Sequence, residues 1–193
     1  MMLIEEEEGL AAYRRRIADA QHLLGIETRA HERRGLPLCL EARELQLAQR
    51  DADGREHRLV PAAGAAWQRM RAAAADAGIR LHLVSAFRSF DYQIELIRRE
   101  LAQGLAIAEI CQSSACPGYS EHHTGRAIDI DTPDLPGLSE RFEDTAAFAW
   151  LQAHAGAFGF TLSYPRGNAA GYVYEPWHWL YGRDGAVLHE PHF

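Results

Sequence analysis

Ser120-Glu121-His122-His123-Thr124-Gly125-Arg126-Ala127-Ile128-Asp129 is the stretch on which the reading of this chain turns. Its second half, Ala127 to Ile130, alternates as a strand does. Its first half is polar, with Gly125 at the join. Glycine permits the sharp backbone turn that joins loop to strand. A histidine on the loop and an aspartate on the strand, seven residues apart, can then converge on one metal ion. Imidazole and carboxylate together suit zinc.

Working outward, Glu175-Pro176-Trp177-His178-Trp179 places a carboxylate three residues before another histidine. Catalytic zinc needs three protein ligands, one open position for water, and a nearby carboxylate to take the water's proton. His122, Asp129 and His178 fill the ligand roles for one ion per chain, and Glu175 that of general base. Of the remaining histidines, His22, His31, His57, His82, His154, His189 and His192 read as surface or satisfied core residues. His123 cannot easily bind the same ion as its neighbour and reads as a support behind the ligands or a pocket lining. Trp177 and Trp179 read as core or rim aromatics, and as pocket walls second.

A third segment, Ser85-Ala86-Phe87-Arg88-Ser89, follows an apolar strand, with Gln93 just inside the next helix. Arginine's planar fork binds pairs of oxygens. Arg88 is therefore placed either to meet a substrate carboxylate or developing oxyanion, or to make a structural salt bridge.

Around these segments the pattern mixes helices and strands without a βαβ rhythm, which predicts an α+β fold with a small, mainly antiparallel sheet flanked by helices. Residues 5–24 carry Leu10, Tyr13, Ile17, Ala20 and Leu24 at helical spacing, behind Glu5 to Glu8, which suit the positive end of a helix dipole. Two alternating segments, 38–47 and 55–60, flank Asp53-Gly54, a hairpin signal. Proline opens and Gly78 closes a helix over 61–77. Strands are predicted over 81–84, 127–130, 160–163 and 177–180, and helices over 91–103 and 145–157. The chain reads as a single domain over 1–193, with a helix-and-hairpin extension over about 1–60 and a catalytic core over about 60–183.

With 193 residues, 47% hydrophobic and 24% charged, the composition is that of one globular domain. The formal charge of −7 argues against a nucleic-acid partner, which requires a basic stripe. No apolar run is long enough to span a membrane. The opening MMLIEEEEGLAAYRRR lacks the basic segment, apolar stretch and cleavage site of a secretory signal, so a cytoplasmic location is expected as written, or a periplasmic one if a leader was removed. Cys39, Cys111 and Cys116 do not make a disulfide scaffold. They read as free thiols, with a 111–116 bridge as the alternative.

The pattern Ser-x-His-x-x-Gly-x-Ala-x-Asp at 120–129, with Glu-x-Trp-His-Trp at 175–179, resembles the VanY-type D-alanyl-D-alanine carboxypeptidases of the LAS group of zinc peptidases, whose fold is shared with the hedgehog amino domain. Ser85 to Ser89 with Gln93, Pro117-Gly118-Tyr119 and Phe158-Gly159-Phe160 fit the same family. The resemblance covers roughly residues 60–183. It implies zinc on His122, Asp129 and His178, Glu175 as base, and Arg88 stabilising the tetrahedral intermediate or holding substrate. Ser120 and Gln93 would help bind the C-terminal carboxylate, with Trp177 beside the substrate. Ala86 and Phe87 replace the usual Gly-Tyr and remove a tyrosine hydroxyl from the pocket. The implied activity is removal of the terminal D-alanine from a peptidoglycan stem peptide or muropeptide, D,D or L,D. A D,D-dipeptidase, an endopeptidase, or a non-catalytic zinc-containing peptide-binding domain of the same fold are the other readings. The stretch before residue 60 matches nothing in the family and would cap the substrate groove or pack on the sheet. Nothing in the sequence reports the oligomeric state.

Overall fold

The computed structural model describes residues 2–27 and 34–182, with the backbone alone for 2–7. Helix α1 runs Met2–Leu24, starting a little before the expected 5. Next, strands β1 (Gln46–Arg50) and β2 (Glu56–Leu59) pair antiparallel as a hairpin. At the hairpin turn Gly54 has a φ of 90° and donates to the Asp51 carbonyl. The expected strand over 38–47 is corrected here, since only residues from Gln46 onward are strand. The preceding residues give their N–H groups to a different loop: Cys39 donates to the Gly118 carbonyl and Ala42 to that of His123, both at 2.8 Å. A backbone committed to those partners cannot also pair in a ladder.

Helix α2 (Pro61–Asp76) follows, with Pro61 in its first turn and Gly78 beyond its end. Its buried stripe is Ala63, Ala66, Trp67, Met70 and Ala74. Four strands, β3 (His82–Ser85), β4 (Ala127–Asp131), β5 (Phe160–Leu162) and β6 (His178–Tyr181), form an antiparallel sheet of order β3-β4-β6-β5. Side chains alternate across a strand. In β4, Ile128 and Ile130 enter the main core with Trp67, Met70, Leu83, Phe142, Leu151 and Phe160. Asp129 therefore projects from the other face, yet all five β4 residues are buried, so both faces of the sheet are covered.

Between β3 and β4 lie α3 (Phe90–Ala102), capped by Ser89 Oγ accepting from the Tyr92 N–H, and α4 (Ile107–Ser113). The sequence reading missed α4 because seven residues are too few to show a period. A 3-10 turn, Glu121–Thr124, then leads into β4. Helix α5 (Ala146–His154) is shorter than expected, because its last turn tightens into a 3-10 turn, Ala155–Phe158, which ends at Gly159. Among the described residues no helix is long and apolar enough to cross a membrane. The three cysteines are free thiols, with the sulfurs of Cys111 and Cys116 3.5 Å apart.

A second core holds α1 in place. Ile17, Ala20, Leu24 and Ile26 pack with Phe90 and Ile97 of α3, Ile110 of α4, Cys116 and Tyr119. The N-terminal helix thus lies on the helices that carry the site loops rather than on the sheet. Gly118 is the point of closest approach: its φ is 89°, and a Cβ there would sit 2.4 Å from Cδ1 of Ile17. Its N–H also donates to His123 Nε2 at 3.1 Å.

Gly118→Ala should destabilise the chain by about 2–4 kcal/mol, combining left-handed backbone strain and overpacking. Urea unfolding of Gly118→Ala, Ile17→Ala and the double variant measures this. The double variant should lose less than the sum of the singles. Strict additivity would mean that the Ile17 contact carries none of the strain.

Candidate metal centre

At one level of the sheet β3, β4 and β6 present Ser85, Asp129 and His178 as direct cross-strand partners, so their side chains share a face. Asp129 is 1% exposed, and three groups converge on its carboxylate. His178 Nδ1 lies 3.0 Å from Oδ1 and His122 Nε2 3.2 Å from Oδ2. An Nη2 hydrogen of Arg88 is donated to Oδ2, while Arg88 Nε donates to Ser85 Oγ at 2.9 Å. Burial on its own would raise the Asp129 pKa. The neighbouring imidazoles of His122 and His178 and the Arg88 guanidinium outweigh it and hold the carboxyl well below the usual carboxylate range.

His122 arrives from the 3-10 turn. Gly125, with a φ of 63°, closes that turn and accepts no side chain without displacing Leu45, whose Cδ2 would stand 2.8 Å from a Cβ. The His122 Nδ1–H is donated to the Ala86 carbonyl at 2.7 Å, which leaves the Nε2 lone pair facing Asp129. Burial, and then the nearby Arg88 charge, push His122 down to about 4, so this ring is neutral at neutral pH.

His178 is gripped from both sides. Nε2 lies 2.9 Å from Oε2 of Glu121, which also accepts from Ser163 Oγ at 2.6 Å. The Tyr164 ring lies against the imidazole, centroids 4.7 Å apart, and the His122 ring meets it edge-on at 4.9 Å. Burial would lower the His178 pKa, but the hydrogen bonds to Asp129 and Glu121 more than offset that and lift it to about 10. Glu175 Oε2 lies 3.8 Å from His178 Nδ1, and burial pushes this carboxyl up to about 7. Its backbone is fixed by N–H donation to the Tyr164 carbonyl at 3.0 Å.

One atom each from His122, Asp129 and His178 lies within 4.8 Å of the other two. Tetrahedral zinc with bonds near 2 Å sets its ligand atoms about 3.4 Å apart, close to the separations of Asp129 from the two ring nitrogens. Two imidazoles and one carboxylate are zinc's ordinary donors. Each ring is tied at its far nitrogen, so its near nitrogen is aimed inward. The residues fit the ion.

His122, Asp129, His178, Glu175 and Arg88 are thus brought together. Other residues of interest stand further out. Ser120 is buried just before the 3-10 turn, its carbonyl accepting the His123 N–H. Gln93 is buried in α3, its Nε2 donating to the Ala115 carbonyl at 2.8 Å, and its Oε1 has no hydrogen-bond partner among the described residues. Trp177 is half-buried against the main core. His123 lies behind the centre: its Nδ1 donates to the Arg88 carbonyl at 2.7 Å, bracing the backbone that carries the guanidinium. His57 pairs with Asp51 and His82 with Asp131, while His22 and His154 are exposed. His31, His189 and His192 lie outside the described residues. A cavity of about 270 Å³ opens beside Arg88, walled by Arg55, Glu56 and His57 of the hairpin and by Phe87 and Tyr92. Sequence reasoning gave no role to Glu121, Ser163 or Tyr164. Glu121 adjoins a candidate ligand, but nothing in one sequence brings the end of β5 to it.

The chain matches the family model described as VanY, D-alanyl-D-alanine carboxypeptidase, over residues 56–184. It is 35% identical over 132 residues to the bifunctional D-Ala-D-Ala dipeptidase and D-Ala-D-Ala carboxypeptidase VanXYC of Enterococcus gallinarum, covering 64% of this chain and 66% of that protein. The matched region spans between 33% and 66% of the lengths of the curated relatives. Among solved structures, the LdcB LD-carboxypeptidase superposes with a TM-score of 0.67 at 30% identity, covering 77% of this chain and 73% of that one. The vancomycin-resistance D,D-pentapeptidase VanY in complex with Zn(II) shares the fold, with a TM-score of 0.57 at 24% identity over 74% of this chain and 82% of that one.

In the metal-free protein His178 holds a proton on both ring nitrogens at neutral pH, and a metal donor must give up the one on Nδ1. Zinc uptake should therefore release at least one proton per ion near pH 7, the excess coming from Glu175, and affinity should fall as pH drops. Calorimetric titration in two buffers of different ionisation heat counts the protons. A count of zero contradicts the charge state assigned to His178.

Proposed function

The chain belongs to the VanY D-alanyl-D-alanine carboxypeptidase family, and on that premise we propose that it is a zinc carboxypeptidase removing the terminal D-alanine from peptidoglycan stem peptides. The observation that carries this reading is a three-donor centre, His122, Asp129 and His178, with a buried carboxyl, Glu175, 3.8 Å from one donor nitrogen. A closed structural zinc site has four protein ligands, mostly cysteine and histidine. Three donors with a carboxyl alongside favour catalysis.

Zinc held there supplies a Lewis acid that polarises the scissile carbonyl and acidifies the attacking water. Glu175 takes the water's proton and returns it to the leaving amine. A carboxyl with a pKa near 7 has the affinity for both transfers. Arg88 is oriented by Ser85 and Asp129, and its remaining N–H donors face the oxygen on which negative charge gathers, or the substrate's terminal carboxylate. Ser120, Gln93 and Trp177 are proposed to contact the peptide. Burial of the centre strengthens each of these electrostatic terms by excluding water.

Two substrates are in play, differing in the stereocentre before the scissile bond. Likeness to the LD-carboxypeptidase LdcB at 30% identity supports the tetrapeptide, whose penultimate residue is of L configuration at the reacting centre. Similarity to VanXYC at 35% identity supports the D-Ala-D-Ala pentapeptide as second reading.

Mass spectrometry of zinc-loaded protein given equal tetrapeptide and pentapeptide stems tests this. Loss of one alanine from the tetrapeptide is the expected result, and loss from the pentapeptide alone moves the assignment to D,D. If neither shortens while zinc stays bound, the exopeptidase reading fails. Glu175→Gln should lower turnover by about 10²–10⁴-fold with zinc content unchanged by elemental analysis. Loss of zinc in that variant would make Glu175 a ligand instead.

A further inference from the structure

We propose that Glu121 is a positioning residue for the metal centre: it holds the Nε2–H of His178, fixing the tautomer and tilt that point Nδ1 at the ion. This rests on the reading of His122, Asp129 and His178 as the zinc donors. His122 needs no such partner from a side chain, because the Ala86 carbonyl already takes its far N–H at 2.7 Å. Among the described residues the far nitrogen of His178 meets no main-chain carbonyl. That nitrogen lies instead 2.9 Å from Oε2 of Glu121, and the same oxygen is held by Ser163 Oγ at 2.6 Å.

The elements involved explain why a carboxylate suits this position. Glu121 opens the 3-10 turn that also carries His122, so the residue orienting one donor lies beside another in the chain. Ser163 directly follows β5 and its N–H donates to the His178 carbonyl at 3.3 Å. One serine therefore bonds both the backbone of His178 and the carboxylate that holds its ring. With Tyr164 against the ring face, at 4.7 Å between centroids, the imidazole is confined by stacking, by Asp129 at Nδ1 and by Glu121 at Nε2. A carboxylate behind a metal-bound histidine also raises the ring's donor strength and commonly contributes 10- to 100-fold in metal affinity. Glu121 touches neither substrate nor metal in this scheme and acts only through His178.

The test uses the whole chain, loaded with zinc or with cobalt as a spectroscopic substitute. Chelator competition gives the metal dissociation constant for wild type, Glu121→Ala, Glu121→Gln and Ser163→Ala, with circular dichroism as a check on folding. Glu121→Ala should weaken metal binding by about 10- to 100-fold and shift the visible absorption of the cobalt form. Glu121→Gln keeps an acceptor oxygen for the ring N–H and should recover most of the affinity and the wild-type spectrum. Ser163→Ala, which loosens Glu121 without removing it, should lie between wild type and Glu121→Ala, and it keeps the inference testable if Glu121→Ala misfolds. A wild-type protein that binds zinc tightly, together with a Glu121→Ala of equal affinity and identical cobalt spectrum, overturns the role of Glu121 alone. A wild-type protein that binds no zinc overturns the metal-centre reading and this inference together.

Discussion

Everything at the centre depends on a buried carboxylate in the middle of a sheet. Asp129 stands on β4 with strands on both sides, 1% exposed, and an uncompensated charge there costs several kcal/mol. Its neighbours are therefore obligatory. The sheet register supplies His178 and Ser85 directly, and the loop after β3 and the turn before β4 supply Arg88 and His122. The arrangement that makes the carboxylate tolerable is also the arrangement that gathers two imidazoles and a guanidinium around one point.

The same dependence explains why so much of the surrounding backbone is tied to the site loops. The residues before the hairpin bond Gly118 and His123 rather than a strand, and Val60 donates to the Gly125 carbonyl at 3.0 Å. His123 contributes no donor to the centre. It links Gly118 to the Arg88 carbonyl through its two ring nitrogens, so a shift of α1 at Gly118 would be felt at the guanidinium. The N-terminal helix is in this sense part of the site's support, although it lies far from the donors in sequence.

The parts of this that were legible in the sequence are those written as local pattern. The turn glycine, the alternation of β4, the proline at the head of α2 and the spacing of His122 and Asp129 are each written within a few residues of sequence. The α+β class and the antiparallel sheet followed from them. What was not legible depends on partners distant in the chain. Residues 38–45 alternate like a strand, but the N–H groups of Cys39 and Ala42 are claimed by a loop about eighty residues on. Glu121 has no role in local pattern, because only the register of β5 and β6 brings Ser163 and His178 to it. Gln93 reads as a substrate contact by resemblance, while in the fold its amide nitrogen serves the Ala115 carbonyl.

The electrostatics carry one further consequence. Glu175 sits near a pKa of 7 because burial disfavours its charge, and Asp129 and Glu121 add to that against the help of His178 and Arg88. A carboxyl raised that far is partly protonated at neutral pH, and the protonated form cannot accept a proton. A dication held by His122, Asp129 and His178 adds positive charge near Glu175, although the Nδ1 proton it displaces from His178 removes one unit. The net gain of about one positive charge favours the ionised carboxylate. On the proposed reading of Glu175 as the base, loading the centre and readying that base are one event, and the burial that makes Glu175 a poor anion in the empty protein keeps its proton affinity high enough to serve in the loaded one.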